Sequence, residues 1–196
     1  MNIALTGKAR SGKDTVARVL VEEYGYRRVA FADALKEMAL EINPIIACYT
    51  KDGYEIVTVP LVDLVEFEGW ELAKDIYPEV RRFLQQLGSS VRKRNPMFWV
   101  GIVEEAIEDA EREGVPVVVT DCRYFNEANT LQEHYGFSLI RITRPGVDSG
   151  DTHESETEMD GYSVDYEISN SASLEDLRTQ AQYLAMPQKY VQGSPL

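Results

Sequence analysis

Gly7, Gly12 and Lys13 stand at the spacing Gly-x-x-x-x-Gly-Lys, and no other feature restricts the fold of this chain as strongly. Ile3 to Leu5, just before it, is a short apolar run bounded by turn residues, which predicts a buried strand. Val16, Val19 and Leu20, just after it, follow at helical spacing. Strand, glycine loop and helix together are the context of a phosphate-binding P-loop. Glycine lets successive backbone N–H groups turn inward on a phosphate, and the helix adds the positive end of its dipole. Lys13 then reaches the outer phosphates. The position after the lysine usually holds Ser or Thr, whose hydroxyl serves Mg²⁺; here it is Asp14, followed by Thr15.

The rest of the chain agrees with an α/β protein. At 196 residues and 44% hydrophobic content it suits one domain with a real core. Helix one is expected from about Gly12 to Tyr24, stopping at Gly25. Arg28 to Ala32 is expected as a second strand, with Asp33 capping the helix after it. Residues 44–79 are the least regular part and are expected as an insertion over a substrate pocket. Within it, residues 54–59 alternate weakly, as a hairpin strand or a loop, and Leu61 to Trp70 predicts a short helix. Val80, Phe83, Leu84, Leu87 and Val91 form one helical stripe, whose other face carries Arg81, Arg82, Gln85 and Gln86. Asn95-Pro96 opens another helix.

Val115 to Thr120 is the clearest strand, β-branched and unbroken, as in a central parallel strand buried on both faces. A helix from about Phe125 to Tyr135 follows, then a strand from Phe137 to Ile142. Residues 146–161 are polar and acidic and read as a mobile loop. Tyr166 to Asn170 makes the last strand and Ser173 caps the last helix. Five strands alternating with helices predict a parallel sheet covered on both faces. Ligands of such sheets bind at the carboxyl ends of the strands. There the sequence sets the glycine loop, Asp33, Asp121, Arg123, Arg144 and Asn170.

Asp121 ends the central strand, where an acid can hold Mg²⁺ through water or orient an attacking hydroxyl; a helix cap or a salt bridge to Arg123 is the structural alternative. Arg81, Arg82, Arg123, Arg141 and Arg144 fall on elements whose ends could converge on the loop. Guanidinium groups bind phosphate bidentately and neutralise charge as a phosphoryl group moves. His153 to Glu156 lie in the polar loop after Arg144, which could close on a nucleotide. A net charge of −13 argues against coating nucleic acid or anionic membrane. Cys48 and Cys122 are expected reduced and buried, and no apolar run is long enough for a membrane span, which points to the cytoplasm.

Several segments, in order, resemble the deoxynucleoside monophosphate kinases of tailed bacteriophages: residues 7–15 (GKARSGKDT), 31–36 (FADALK), 82–88 (RFLQQLG), 95–99 (NPMFW), 119–124 (VTDCRY), and Arg144-Pro145-Gly146 with His153. Arg-Ser-Gly-Lys-Asp-Thr is also that family's loop, so Asp14 departs from the general pattern but not from the family's. The resemblance implies a P-loop kinase fold with a five-stranded parallel core over residues 1–186, an insertion at about 44–79, a short lid at about 145–161 and a flexible tail, 187–196. It implies transfer of the γ-phosphoryl group of ATP, with Mg²⁺, to a deoxynucleoside 5′-monophosphate.

By position, the resemblance gives Gly7, Arg10, Ser11, Gly12, Lys13, Asp14 and Thr15 to ATP, with Asn170 near adenine. Asp33, Lys36, Arg82, Gln85 and Arg123 go to the acceptor, and Arg144 to the lid base. Lys13, Asp121, Arg123 and Arg144 are the expected catalytic groups, and Asp14 and Asp121 the expected metal ligands. Partners would be small nucleotides, with no nucleic-acid polymer and no membrane, in a monomer or a homodimer, in the host cytoplasm if the source is viral. A kinase of the same fold acting on dephospho-coenzyme A or phosphomevalonate is the nearest alternative. A nucleotide switch is a more distant one, because the chain lacks the Asn-Lys-x-Asp motif of GTP switches.

Overall fold

The computed structural model describes residues 1–147, 150 and 152–186, and the chain divides into two compact units. Unit 1 comprises residues 1–31 and 100–196, and unit 2 is the stretch from Ala32 to Trp99. The tail expected at 187–196 and parts of the lid expected at 145–161 lie outside the described residues.

Unit 1 is built on a five-stranded sheet in the order β2-β5-β1-β6-β7. The strands are β1 (Ile3–Thr6), β2 (Arg27–Val29), β5 (Val117–Val119), β6 (Ser138–Thr143) and β7 (Tyr166–Ser169). Every pairing is parallel; Ile3 sits opposite Val118 on one side and Ser138 on the other. β1 is therefore central, which is why all four of its residues are buried. Successive side chains point to opposite faces. Ile3, Leu5, Val118, Ile140, Ile142 and Ile168 pack with α1 (Lys13–Tyr24) and α8 (Leu174–Ala185) in one core. Ala4, Val117, Val119 and Leu139 alternate to the other face and are fully buried as well. α6 (Phe125–Tyr135) contacts β6.

α1 begins at Gly12 and ends at Gly25, whose left-handed backbone lets its N–H bond back to the helix. The second strand is shorter than its apolar run suggests. It stops at Val29, and Phe31-Ala32 open α2 (Phe31–Ile42), so Asp33 lies inside the first helical turn and is not its cap. The cause is distant: the Phe31 N–H donates to Asp121 Oδ1 at 2.9 Å, which starts a helix where a strand would continue.

Unit 2 contains an antiparallel hairpin and helices. β3 (Ile45–Lys51) pairs with β4 (Glu55–Pro60), so the weakly alternating stretch is one strand of a hairpin whose other strand the sequence pattern did not reveal. α3 (Leu61–Ile76) runs past the expected end at Trp70, with a break at Gly69, where φ is 73°. α4 (Pro78–Arg94) starts with proline in its first turn. α5 (Phe98–Glu113) begins after the turn at Asn95–Pro96 and continues into unit 1. Ala39, Ile46, Leu61, Leu64, Ala73, Val80 and Leu84 form the core of unit 2. Cys48, expected buried, is exposed on β3, because no second layer covers that face of the hairpin; Cys122 is buried as expected. No described helix is long and apolar enough to cross a membrane.

Candidate functional site

Between β1 and α1 the chain makes the loop that the glycine spacing predicts. Gly7 has φ 131°, and a Cβ there would lie 2.2 Å from the carbonyl oxygen of Ile142, so no other residue fits. Gly12 has φ 114°, and a Cβ there would lie 2.7 Å from Asn170 Nδ2. That amide donates to the Ser11 carbonyl at 2.9 Å, so the end of β7 holds the loop in place. Arg10 also takes a left-handed backbone, at φ 62°.

Lys13 is only 7% exposed and curls into the loop, where its ammonium donates to the carbonyls of Gly7 (2.8 Å) and Lys8 (2.7 Å). Burial pulls its pKa from 10.5 down to about 8, helped by the nearby Arg123 charge; Glu156, Asp14 and Asp121 pull the other way. The Ser11 hydroxyl is buried and has no hydrogen-bond partner among the described residues. It lines a cavity of about 210 Å³ with Gly7, Lys8, Arg123, Arg144 and Glu156. This is the concave, cation-lined space that a polyphosphate needs.

Arg123 follows β5, and its backbone is fixed by Glu127 of α6. The Glu127 carboxylate accepts from the N–H groups of Arg123 (2.8 Å) and Tyr124 (3.2 Å). The guanidinium donates to the Ser155 carbonyl at 3.0 Å and to the Glu156 carboxylate. Burial disfavours its charge, but Glu156 and Asp121 outweigh that, so its pKa is raised. Glu156 lies on α7 (Glu154–Thr157), a turn of helix inside the segment expected as a mobile loop and capped by the His153 side chain. Its carboxylate also accepts from the Ala9 N–H of the loop at 3.2 Å, and Lys8 Nζ donates to the Glu156 carbonyl at 2.5 Å and to Asp160 at 2.7 Å.

Arg141 and Arg144 both line the cavity, and the Arg141 guanidinium also donates to the carbonyls of Met159 (2.9 Å) and Tyr162 (2.7 Å). Asp14 is exposed in the first turn of α1 and lines a different groove, with Arg18, Glu22 and Arg28. Thr15 lines a third, with Arg18, Leu174 and Arg178. No group of three metal-ligating side chains occurs among the described residues. Mg²⁺ does not need one, since it commonly takes one or two carboxylates and completes its shell with water and phosphate oxygens. Asp14 and Asp121 are carboxylates, the donor type such an ion takes, and both act electrostatically on Lys13.

In unit 2, Lys36 of α2 sits 5.8 Å above the ring of Trp70, the residue after the Gly69 break. Glu71 is drawn into the same basic cluster. Burial raises its pKa, but the hydrogen bond from Lys74 and the charges of Lys74, Lys36 and Arg81 lower it overall. Arg82 is exposed, and Gln85, three residues later on α4, shares its face. The Arg81 charge contributes to lowering the Glu71 pKa.

Sequence reasoning missed Lys8 and Glu127, and placed Glu156 only within a loop that could close on a nucleotide. Glu127 had a usable signal, an acid in the first turn of a helix.

The family model for deoxynucleotide monophosphate kinase matches residues 48–181. A putative deoxynucleotide monophosphate kinase of Acanthamoeba polyphaga mimivirus is 28% identical over 91% of this chain and 92% of its own. The deoxynucleotide monophosphate kinase of Enterobacteria phage T4 is 24% identical over 89% of this chain and 94% of its own. A solved dephospho-CoA kinase from Campylobacter jejuni is 15% identical, covers 93% of this chain and 94% of its own, and has a TM-score of 0.47, too low to bear on fold or function.

Proposed function

This chain belongs to the deoxynucleotide monophosphate kinase family, and we propose that it moves the γ-phosphoryl group of ATP to a deoxynucleoside 5′-monophosphate with the loop of residues 7–15 as the donor site. The observation that carries this is Lys13: a buried ammonium held on two carbonyls of its own loop, beside the cavity lined by Arg123 and Arg144.

An oxygen of the acceptor phosphate attacks the γ-phosphorus, the bond to the β-bridging oxygen breaks, and ADP leaves with the negative charge. No protein nucleophile is required, so catalysis rests on positioning and charge neutralisation. Backbone N–H groups of residues 8–13 cradle the donor phosphates. Lys13 exchanges its two carbonyl partners for phosphate oxygens. Arg123, fixed by Glu127, neutralises charge on the acceptor side, and Arg144 supplements it from the end of β6. Gly12 and Thr15 complete the donor site, and Asn170 keeps the loop in shape beside the adenine. Asp14 and Asp121 would hold Mg²⁺, which supplies further neutralisation of phosphate charge when bound. We assign Asp33, Lys36, Arg82 and Gln85 to the acceptor from the family resemblance. The viral sources of the relatives support a role in the cytoplasm of a host cell.

The test is an ADP-release assay with ATP and Mg²⁺ over the four deoxynucleoside monophosphates, the four ribonucleoside monophosphates, dephospho-coenzyme A and phosphomevalonate. Turnover is expected with at least one deoxynucleoside monophosphate. Turnover on a coenzyme A precursor alone, or ADP release indifferent to acceptor, would defeat the reading.

A further inference from the structure

The Glu156 carboxylate reaches the phosphate loop. One of its oxygens accepts from the Ala9 N–H, the other pairs with Arg123, and the side chain is 6% exposed. A loop amide and a guanidinium are the two kinds of donor that a phosphoryl group recruits. Lys8 reinforces the arrangement by holding the Glu156 carbonyl. The carboxylate thus lies between the loop, which takes the donor, and Arg123, assigned above to the acceptor side. A group in transit from one to the other must pass there. A carboxylate and a phosphate cannot share these donors, because both are anions and their repulsion at contact distance is strong in a site shielded from water.

We propose that the Glu156 carboxylate stands in for the terminal phosphoryl group of the donor triphosphate, so that a nucleoside triphosphate binds only by displacing it, while a diphosphate leaves it in place. This rests on the reading of residues 7–15 as the donor site. It makes Glu156 a residue that sets the balance between triphosphate and diphosphate. By returning to Ala9 and Arg123 after transfer, it competes with rebinding of a fresh triphosphate and leaves ADP unaffected.

The full-length chain and its Glu156→Gln variant are titrated calorimetrically with β,γ-imido-ATP and with ADP, both with Mg²⁺. The amide keeps the shape but removes the charge that Arg123 pairs with. The variant is expected to bind the imido triphosphate about tenfold more tightly, the scale of one charged hydrogen bond, with ADP changed by less than about twofold. Glu154→Gln removes the same charge from the same helix without touching the loop, and is expected to change neither affinity. Equal tightening for both nucleotides in Glu156→Gln would show a general field effect and overturn the proposal. A lower kcat with unchanged affinities would overturn it too, since Glu156 would then only orient Arg123. If Glu156→Gln melts before binding can be read, Glu156→Asp keeps the charge and withdraws it by one methylene. A selective gain for the triphosphate is then expected, and no selectivity refutes it. Failure of the unaltered chain to bind either nucleotide would overturn the kinase reading itself, and this proposal with it.

Discussion

The side-chain amide of Asn170, just past the end of β7, donates to the carbonyl of Ser11 at 2.9 Å and ties the last strand of the sheet to the loop after the first. Asn170→Ala is expected to leave the fold intact, to cost about 1 kcal/mol for one lost hydrogen bond, and to raise KM for ATP more than KM for the acceptor. The same amide lies 2.7 Å from where a Gly12 Cβ would be. The double variant Gly12→Ala/Asn170→Ala should therefore be less destabilised than the sum of its parts. Additive denaturation midpoints would mean that Asn170 does not brace the loop.

Gly7→Ala has no such relief. Its Cβ would meet a backbone carbonyl of β6, at 2.2 Å, in a left-handed conformation. A loss of at least about 2 kcal/mol is expected from strain alone, read as a lower midpoint in urea. A variant as stable as the parent would place the loop elsewhere relative to β6.

Lys13 gives a pH signature with two opposite arms. Its folded pKa of about 8 lies below the 10.5 of an unfolded lysine. Between those values the unfolded chain binds more protons, so stability without nucleotide should rise with pH across that window. Phosphate binding requires the charged ammonium, so ATP affinity should fall as pH rises through about 8, and binding above that pH should take up a proton. Lys13→Met should remove both trends and lower kcat at least ~10²-fold, by analogy with deleting one transition-state donor. A pH-independent ATP affinity in the parent chain would take Lys13 out of phosphate binding.

Asp14 separates two physical roles. If it serves Mg²⁺, Asp14→Asn raises the Mg²⁺ concentration for half-maximal rate and leaves melting without ligand unchanged. If it only complements the dipole of α1, where it sits in the first turn, up to about 1 kcal/mol of stability is lost with the same Mg²⁺ dependence. The metal role is the expected one, and an unshifted titration would defeat it.

Arg123→Ala is expected to raise KM for the monophosphate more than KM for ATP. Weakening of ATP alone would move Arg123 to the donor side. Because Arg123 also holds Glu156, the comparison is best made in Glu156→Gln, where that pairing is already discharged.

What the sequence showed and what it hid divide along a physical line. Gly7, Gly12, Gly25 and the Val117–Val119 run were legible because backbone freedom and β-branched burial act locally. Phe31 and Ala32 looked like strand because they are apolar; their helix starts on an acceptor from Asp121, ninety positions away. β3 was hidden because a single-layer hairpin buries little of either face, and alternation fades with it. The partners of Glu156 were hidden for a different reason, although its loop had been singled out. A carboxylate in a polar loop looks the same in sequence whether it meets water or a guanidinium, and only the packing of α7 on residues 8 and 9 tells them apart.

The central position of β1 also sets an order of events during synthesis. Its partners are Val118 and Val119 on one side and residues 138–141 on the other. β1 therefore waits, unpaired on both edges, until more than a hundred further residues have been made. Unit 2, whose contacts close within residues 32–99, is complete long before that. Such distant pairings are slow to form, and the loop fastened by Ile142 and Asn170 comes later still. The nascent chain thus acquires its phosphate grip among the last of its structures, so a chain arrested midway has no means of binding the donor.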